Sequence, residues 1–294
     1  MEKKDFEGLL PLYTDENKIK ISAVEKLWRT KAGSKRYYMD SDGFLYIGVT
    51  GFTSKVLPSS PFLVDWKVKQ ALDGNDWREE MNKAANYGTA MHIAIEYFCV
   101  KKKFTPQELK EYLLENYPTW AATASERDWM KMLKDIASWA QFVADRNVFV
   151  HAIELPIKSR RLGVASSIDE IISFDFNKGR ITALLDTKSG KKGFYPSHRC
   201  QLETYKVMYN ESIYSQFLPV SGIFNWAPSD WRKTPKYKLE NQTDNEFVGM
   251  IDNLVELGKA YDIFPNQEEK KLVFNGSFEF GKAPDNFTFE SIKK

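Results

Sequence analysis

The chain is predicted to adopt an α/β fold, a central mixed β-sheet flanked by helices with an N-terminal elaboration, on three observations. First, IDEIISF and RITALLD are rich in β-branched and aromatic residues and flank Asn177-Lys178-Gly179, turn chemistry that makes them an antiparallel hairpin. Second, apolar residues at helical spacing precede and follow that hairpin; Trp129, Met132, Leu133, Ile136, Trp139, Ala140 and Val143 form one such stripe. Third, VSGIFNW (Val220 to Trp226) alternates as a further strand that extends the sheet. At 294 residues and 43% hydrophobic content, one large domain or a core with elaborations can bury a sizeable interior.

Residues 1–48 are the elaboration. AGSKRYYMDSDGFLYIGVTG reads as a hairpin with Asp40-Ser41-Asp42-Gly43 at its turn; DxDG also occurs in calcium loops, but apolar FLYIGV stands where such a loop needs its Glu. Residues 49–294 form the main domain, with a strand and helix extension at its C-terminal end. Pro58 and Pro61 lead into a helix from about Phe62 to Leu72, and DGNDW is a loop. Arg78 to about Val100 is a long helix with His92, Ile95 and Glu96 at helical spacing, closed by Lys101-Lys102-Lys103, where the helix dipole favours positive charge. Thr105-Pro106-Gln107-Glu108 starts the next helix with Thr as its cap, and Ser125 to Arg146 carries the stripe named above. Strands run from Phe149 to Lys188, Gln201 to Asn210 and Asn245 to Ile263 are helical, and LVFNGSFEF alternates as an edge strand. A sheet of about four or five strands is expected.

With the turn centred between Asn177 and Lys178, Asp169 faces Asp186, and Lys188 shares the face of Asp186. Opposed like charges destabilise a sheet, and a divalent cation relieves them. Two carboxylates, a backbone carbonyl such as that of Thr187, and water suit Mg²⁺, while a neighbouring lysine orients or deprotonates an attacking water. A solvated surface hairpin with a charged pair is the ordinary alternative. Gln201 and Tyr205, four apart, share one face of the helix that follows. His92 is one of three histidines, either a satisfied interior side chain or a ligand.

Gly88-Thr89-x-x-His92 on a helix, Gly163 with Asp169 on a strand, Asp186-x-Lys188 on the next strand and Gln201-x-x-x-Tyr205 on the following helix together resemble the RecB-like branch of the PD-(D/E)XK nuclease superfamily. Recombination exonucleases of viruses and bacteria and the mitochondrial genome maintenance exonuclease belong to that branch. Val49 to Leu72 is also similar to the family's approach to the core, a Val-Thr strand leading through a proline loop to a helix with Leu-x-x-Trp. The resemblance spans about Val49 to Tyr209. It implies a restriction-endonuclease-like core with Asp169 and Asp186 as ligands of one or two Mg²⁺ or Mn²⁺ ions and His92 as a further ligand. It makes Lys188 the catalytic lysine and has Gln201 and Tyr205 orient the phosphate or Lys188. Glu154, in HAIELPI, falls where many members carry a glutamate on the first core strand. Two departures stand out: Asp186 where Glu is the frequent alternative, and a 17-residue gap that implies a longer hairpin than in several relatives.

The implied activity is hydrolysis of DNA from single strands or duplex ends in recombination, repair or replication, with a single-strand-binding or annealing protein as a partner. A catalytically inactive nucleic-acid-binding module and a site-specific endonuclease are the competing readings. The net charge of +2 does not by itself mark a nucleic-acid binder, but Lys158 to Lys192 holds eight Lys or Arg against four acids, a balance of +4. Lys158, Arg160, Arg161, Lys191 and Lys192 are candidate phosphate contacts, and Trp231, Arg232 and Lys233 a candidate strand-binding loop. A solvated charged surface and a turn with a packed Trp are the ordinary alternatives. Cys99 and Cys200 cannot supply the four thiolates of an iron-sulfur cluster, so none is expected. Without a Walker-type phosphate loop an ATP-driven motor is not expected. No apolar run approaches about 18 residues and Met1 to Glu16 lacks a signal-peptide core, so no membrane association and a cytoplasmic setting, in a bacterial or phage-infected cell, are expected.

Overall fold

The computed structural model describes residues 12–13, 20–21, 27–32, 35–177, 179–190, 193–267, 270–274 and 287–291. The hairpin at its centre closes as the turn chemistry dictates: Asn177 takes φ +54° and Phe176 pairs with Gly179. The antiparallel register then runs to Glu170 opposite Leu185, one step short of Asp169 and Asp186.

In chain order, the short ribbon of β1 (Leu12–Tyr13) and β2 (Lys20–Ile21) precedes the meander β3 (Trp28–Ala32), β4 (Lys35–Met39) and β5 (Leu45–Gly48). Six helices follow: α1 (Val49–Val56), α2 (Pro61–Leu72), α3 (Trp77–Lys101), α4 (Pro106–Asn116), α5 (Pro118–Ala121) and α6 (Glu126–Asp145). Then come β6 (Phe149–Ser159), β7 (Val164–Phe176), β8 (Gly179–Thr187), α7 (Pro196–Glu211), α8 (Tyr214–Phe217), β9 (Gly222–Pro228), β10 (Tyr237–Asn241) and α9 (Ile251–Ala260). A second ribbon, β11 (Lys270–Phe274) with β12 (Phe287–Ser291), ends the described chain. Most of the proposed edge strand LVFNGSFEF lies outside the described residues.

The main sheet has eight strands, more than the four or five expected, because β3 to β5 and β10 join it. It is mixed: β5 runs parallel to β7 and β9 parallel to β8, and the other pairings are antiparallel. The segment read as an N-terminal elaboration is thus hydrogen-bonded into the sheet. Its turn is set by Asp40, whose Oδ1 accepts from the backbone N–H groups of Asp42 and Phe44, with Gly43 at φ +79°.

One expectation fails locally. Val49 to Val56 is a helix, not a Val-Thr strand: Val49, Phe52, Thr53 and Val56 are its buried residues, a spacing of helical period that overrides β-branched propensity. Cap chemistry sets other boundaries. Thr105 and Glu108 form a capping box that starts α4, and Ser125 with Asp128 starts α6.

Two apolar cores cover the two faces of the sheet. One gathers side chains of α1, α7 and α9 with Leu155, Ile168, Ile171, Leu184 and Ile223. The other gathers α3 to α6 with Ile153, Ile172, Phe174, Leu185 and Phe224. Residues two or four apart on a strand ordinarily share a face. Here Ile153 and Leu155 enter different cores, and so do Ile168 and Ile172. The faces of β6 and β7 therefore invert at Glu154 and Asp169, and Glu154 takes φ +49° in mid-strand to allow it.

The site sits at that inversion. β6 occupies one edge of β7 from Val164 to Ser173, so β5, at Val164 and Ala165, and β8, from Glu170 onward, share the other edge. Asp169 stands in the notch between them.

Candidate functional site

Around the notch three ligand-type side chains converge. His92 of α3, Glu154 of β6 and Asp169 of β7 each offer an atom within 4.8 Å of the others. His92 Nδ1 is 3.8 Å from Glu154 Oε1 and 3.9 Å from Asp169 Oδ2. Second contacts orient both carboxylates: Ser167 Oγ donates to Glu154 Oε2 (2.7 Å), and the Thr187 N–H donates to Asp169 Oδ2 (2.9 Å). Thr187, expected to offer its backbone carbonyl, also hydrogen-bonds the His92 ring through its backbone.

Asp186 lies beside this trio rather than in it. Its Oδ1 accepts from Lys188 Nζ (2.6 Å) and its Oδ2 from Asn225 Nδ2 (2.7 Å), and the side chain is fully buried. The β7–β8 ladder ends one step short of the expected Asp169 and Asp186 pair, and the trio is completed by Glu154. Lys188 is held at both ends: its backbone N–H donates to the Trp226 carbonyl, and Nζ also donates to Gln201 Oε1 (3.3 Å). Gln201 Nε2 in turn donates to the Tyr205 hydroxyl (2.6 Å), which meets Ser166 Oγ at 3.1 Å. The helical i, i+4 spacing read from the sequence sets Tyr205 against Gln201, and Gln201 meets the lysine.

Burial and charge set the protonation states. Burial, then the charge of Glu154, pushes Asp169 up to about 7 against the opposing pull of Lys188. Burial and Asp169 push Asp186 up to about 6, again against Lys188. Burial alone would lower Lys188, but Asp186 and Asp169 outweigh it and hold the ammonium above its ordinary value. Burial lowers His92, favouring a neutral imidazole, the form that binds metal. Next to Asp169, Glu170 is raised by burial and by the Asp169 charge, and it accepts from Thr187 Oγ1 at 2.9 Å.

A neutral imidazole beside two crowded carboxylates is a donor set that suits a divalent cation, which would relieve their mutual repulsion. Three groups therefore fit the ion directly, with Asp186 alongside.

The basic candidates are distributed differently. Lys158 and Arg160 pair with Asp40 at 3.3 and 2.9 Å, and Arg160 also with Asp42. Arg161 pairs with Glu211 and Asp252. These three tie the β4–β5 turn, α7 and α9 to the end of β6 and the turn that follows it, in ion pairs away from the trio. Trp231 is an anchor on α6, its Nε1 donating to Ser138 Oγ (3.1 Å) while Lys134 Nζ donates to its carbonyl (2.8 Å). Arg232 and Lys233 are exposed beside it. Lys191 and Lys192 lie outside the described residues. Sequence reasoning missed Ser166, Ser167 and Asn225; a lone Asn within IFNWA was the available signal.

No known protein family matches this chain, and no curated protein matches it. Among solved structures, one titled "Crystal structure of SSO0001" aligns over 55% of this chain and 72% of that chain at 14% identity, with a TM-score of 0.25. Likeness at that level carries no inference about fold or function. Among the described residues, no helix is long and apolar enough to cross a membrane.

Proposed function

We propose that this chain is a metal-dependent nuclease that hydrolyses DNA phosphodiester bonds, working as an exonuclease on single strands or duplex ends. The observation that carries the reading is the Lys188 ammonium, fixed between Asp186 and Gln201 beside the His92, Glu154 and Asp169 trio. The motif resemblance to RecB-like nucleases points the same way. His92, Glu154 and Asp169 would hold Mg²⁺ or Mn²⁺, with Asp186 alongside. When bound, such an ion supplies Lewis acidity and charge neutralisation at a phosphoryl group.

The chain's own residues account for the rest. Because Asp186 and Asp169 keep Lys188 protonated, its Nζ acts as a donor and a positive charge rather than as a base. It steadies charge developing on a non-bridging phosphate oxygen as water attacks phosphorus, the water gives up one proton to solvent, and one P–O ester bond breaks. The departing oxygen takes up a proton from solvent, leaving one phosphate end and one hydroxyl end. Gln201 holds the lysine, and Tyr205 holds Gln201.

The test is release of label from end-labelled linear DNA, single- and double-stranded, with Mg²⁺, Mn²⁺ or EDTA, for the native chain, Asp169→Ala and Lys188→Met. Metal-dependent release by the native chain and its loss in folded variants is the expected result. DNA binding without cleavage under either metal would replace the enzyme with a binding module. Cutting of closed circular duplex at fixed sites would replace the exonuclease with a site-specific endonuclease.

A further inference from the structure

Strand β9 reads GIFNWAP, and Asn225 is its one polar side chain. It is completely buried. Parallel pairing sets it directly beside Asp186, and its Nδ2 donates to Asp186 Oδ2 at 2.7 Å. Its own Oδ1 is buried and has no hydrogen-bond partner among the described residues. Turning the amide over would set that oxygen against a carboxylate, so Asp186 fixes the orientation. A buried unpaired carbonyl oxygen disfavours folding, and an apolar residue of similar size would avoid it. The only service this side chain performs among its described contacts is to Asp186.

We propose that Asn225 is a positioning residue of the candidate metal centre, acting through Asp186; the inference rests on the metal-dependent reading above. Asn225 takes Oδ2 from β9 while Lys188 takes Oδ1 from the end of β8, so two donors on different elements fix the plane of one carboxylate. Without Asn225 the carboxylate is free to turn both oxygens toward the ammonium, and Oδ2 stays desolvated with its donor gone. Asp186 lies beside the trio and joins the ion only as the motif resemblance implies; hydrogen-bond partners of such ligating carboxylates typically govern metal affinity or activity by about 10–100-fold. The residue touches no reacting atom in this arrangement.

The experiment measures Mn²⁺ binding to the full chain without DNA, by the electron paramagnetic resonance signal of the free ion, beside urea melts in EDTA. Asn225→Leu keeps the volume and Asn225→Ala relieves crowding, so the two cover misfits of either size. Each is expected to weaken Mn²⁺ binding about 10–100-fold. In an Asp186→Ala background, Asn225→Ala is expected to cost nothing further, because the residue through which it acts is gone. A shifted melt with unchanged Mn²⁺ affinity would reduce Asn225 to a packing residue and overturn the proposal. So would an Asn225 effect that persists at full size without Asp186. A native chain that binds no Mn²⁺ is a separate result, which defeats the metal reading itself.

Discussion

Glu154 occupies a left-handed backbone conformation inside a β-strand, and replacing it separates backbone strain from side-chain chemistry. A non-glycine residue there costs about 1–2 kcal/mol, whereas glycine adopts φ +49° freely. Glycine pays about 0.5–1 kcal/mol more backbone entropy than alanine in a strand of ordinary geometry. Glu154→Gly and Glu154→Ala both delete the carboxylate, its hydrogen bond from Ser167 and its repulsion of Asp169, so those effects cancel between them. What remains is strain relief less entropy, and Glu154→Gly should be the more stable of the two by about 0.5–1 kcal/mol. That is the reverse of the usual order in a strand. Urea melts in EDTA read the difference directly. Equal stability, or an advantage for alanine, would mean that residue 154 lies in ordinary extended backbone, and the face inversion that builds the notch would fall with it.

Other consequences are open to direct measurement. Lys188→Met should lower kcat by about 10²–10³ through loss of one preorganised donor, while DNA affinity in EDTA changes little; an unchanged kcat would remove the lysine from the chemistry. In EDTA the folded chain holds protons on Asp169 and Asp186 that the unfolded chain has released, between the ordinary value of 3.8 and their raised values of about 7 and about 6. Fewer protons bound when unfolded means that this part of the stability is present at acid pH and is lost as pH rises through that window. His92, lowered by burial, works the other way below about pH 6.5. The carboxylate effect is therefore read as the stability of the native chain minus that of Asp169→Asn, which should decline from about pH 4 to 7; a flat or rising difference would refute it. Trp231→Leu should cost about 1 kcal/mol by deleting the indole N–H donor to Ser138 and leave DNA affinity unchanged. If Trp231 instead stacks on a base, affinity should fall about fivefold or more.

Much of the site was legible because it depends on local rules. Turn chemistry at Asn177 fixed the hairpin register, strand parity put Lys188 with Asp186, and helical spacing put Gln201 with Tyr205. What those rules could not place depends on departures from them or on distance along the chain, and Glu154 was flagged only through the motif resemblance. Glu154 joins His92 and Asp169 only because the alternation of HAIELPI breaks at Glu154 itself, and counting residues along a strand presumes that it does not. Val49 to Val56 was misread because Val and Thr favour strands, although its apolar spacing is helical. Charge counts could not reveal that Arg160 would meet Asp40, 120 positions away in sequence.

The inversion also explains why acidic side chains can collect here. Within either face of the sheet, a carboxylate enters an apolar core and needs buried donors against the cost of desolvation, as Glu170 takes from Thr187 and Asp186 from Lys188 and Asn225. At Glu154 and Asp169 neither core claims the side chain, and β5 and β8 leave the edge of β7 open between them. The Thr187 N–H, next along β8, turns to the Asp169 carboxylate instead of extending the ladder. Asp169 in such a place is desolvated enough for its pKa to rise, yet the His92, Glu154 and Asp169 group keeps some exposure to solvent. A fully enclosed cluster would have to protonate to relieve its repulsion. An open one can be relieved by an ion from solvent, and so the backbone irregularity that costs folding energy at Glu154 also leaves the carboxylates reachable; under the proposed nuclease reading, a phosphate would enter by that side.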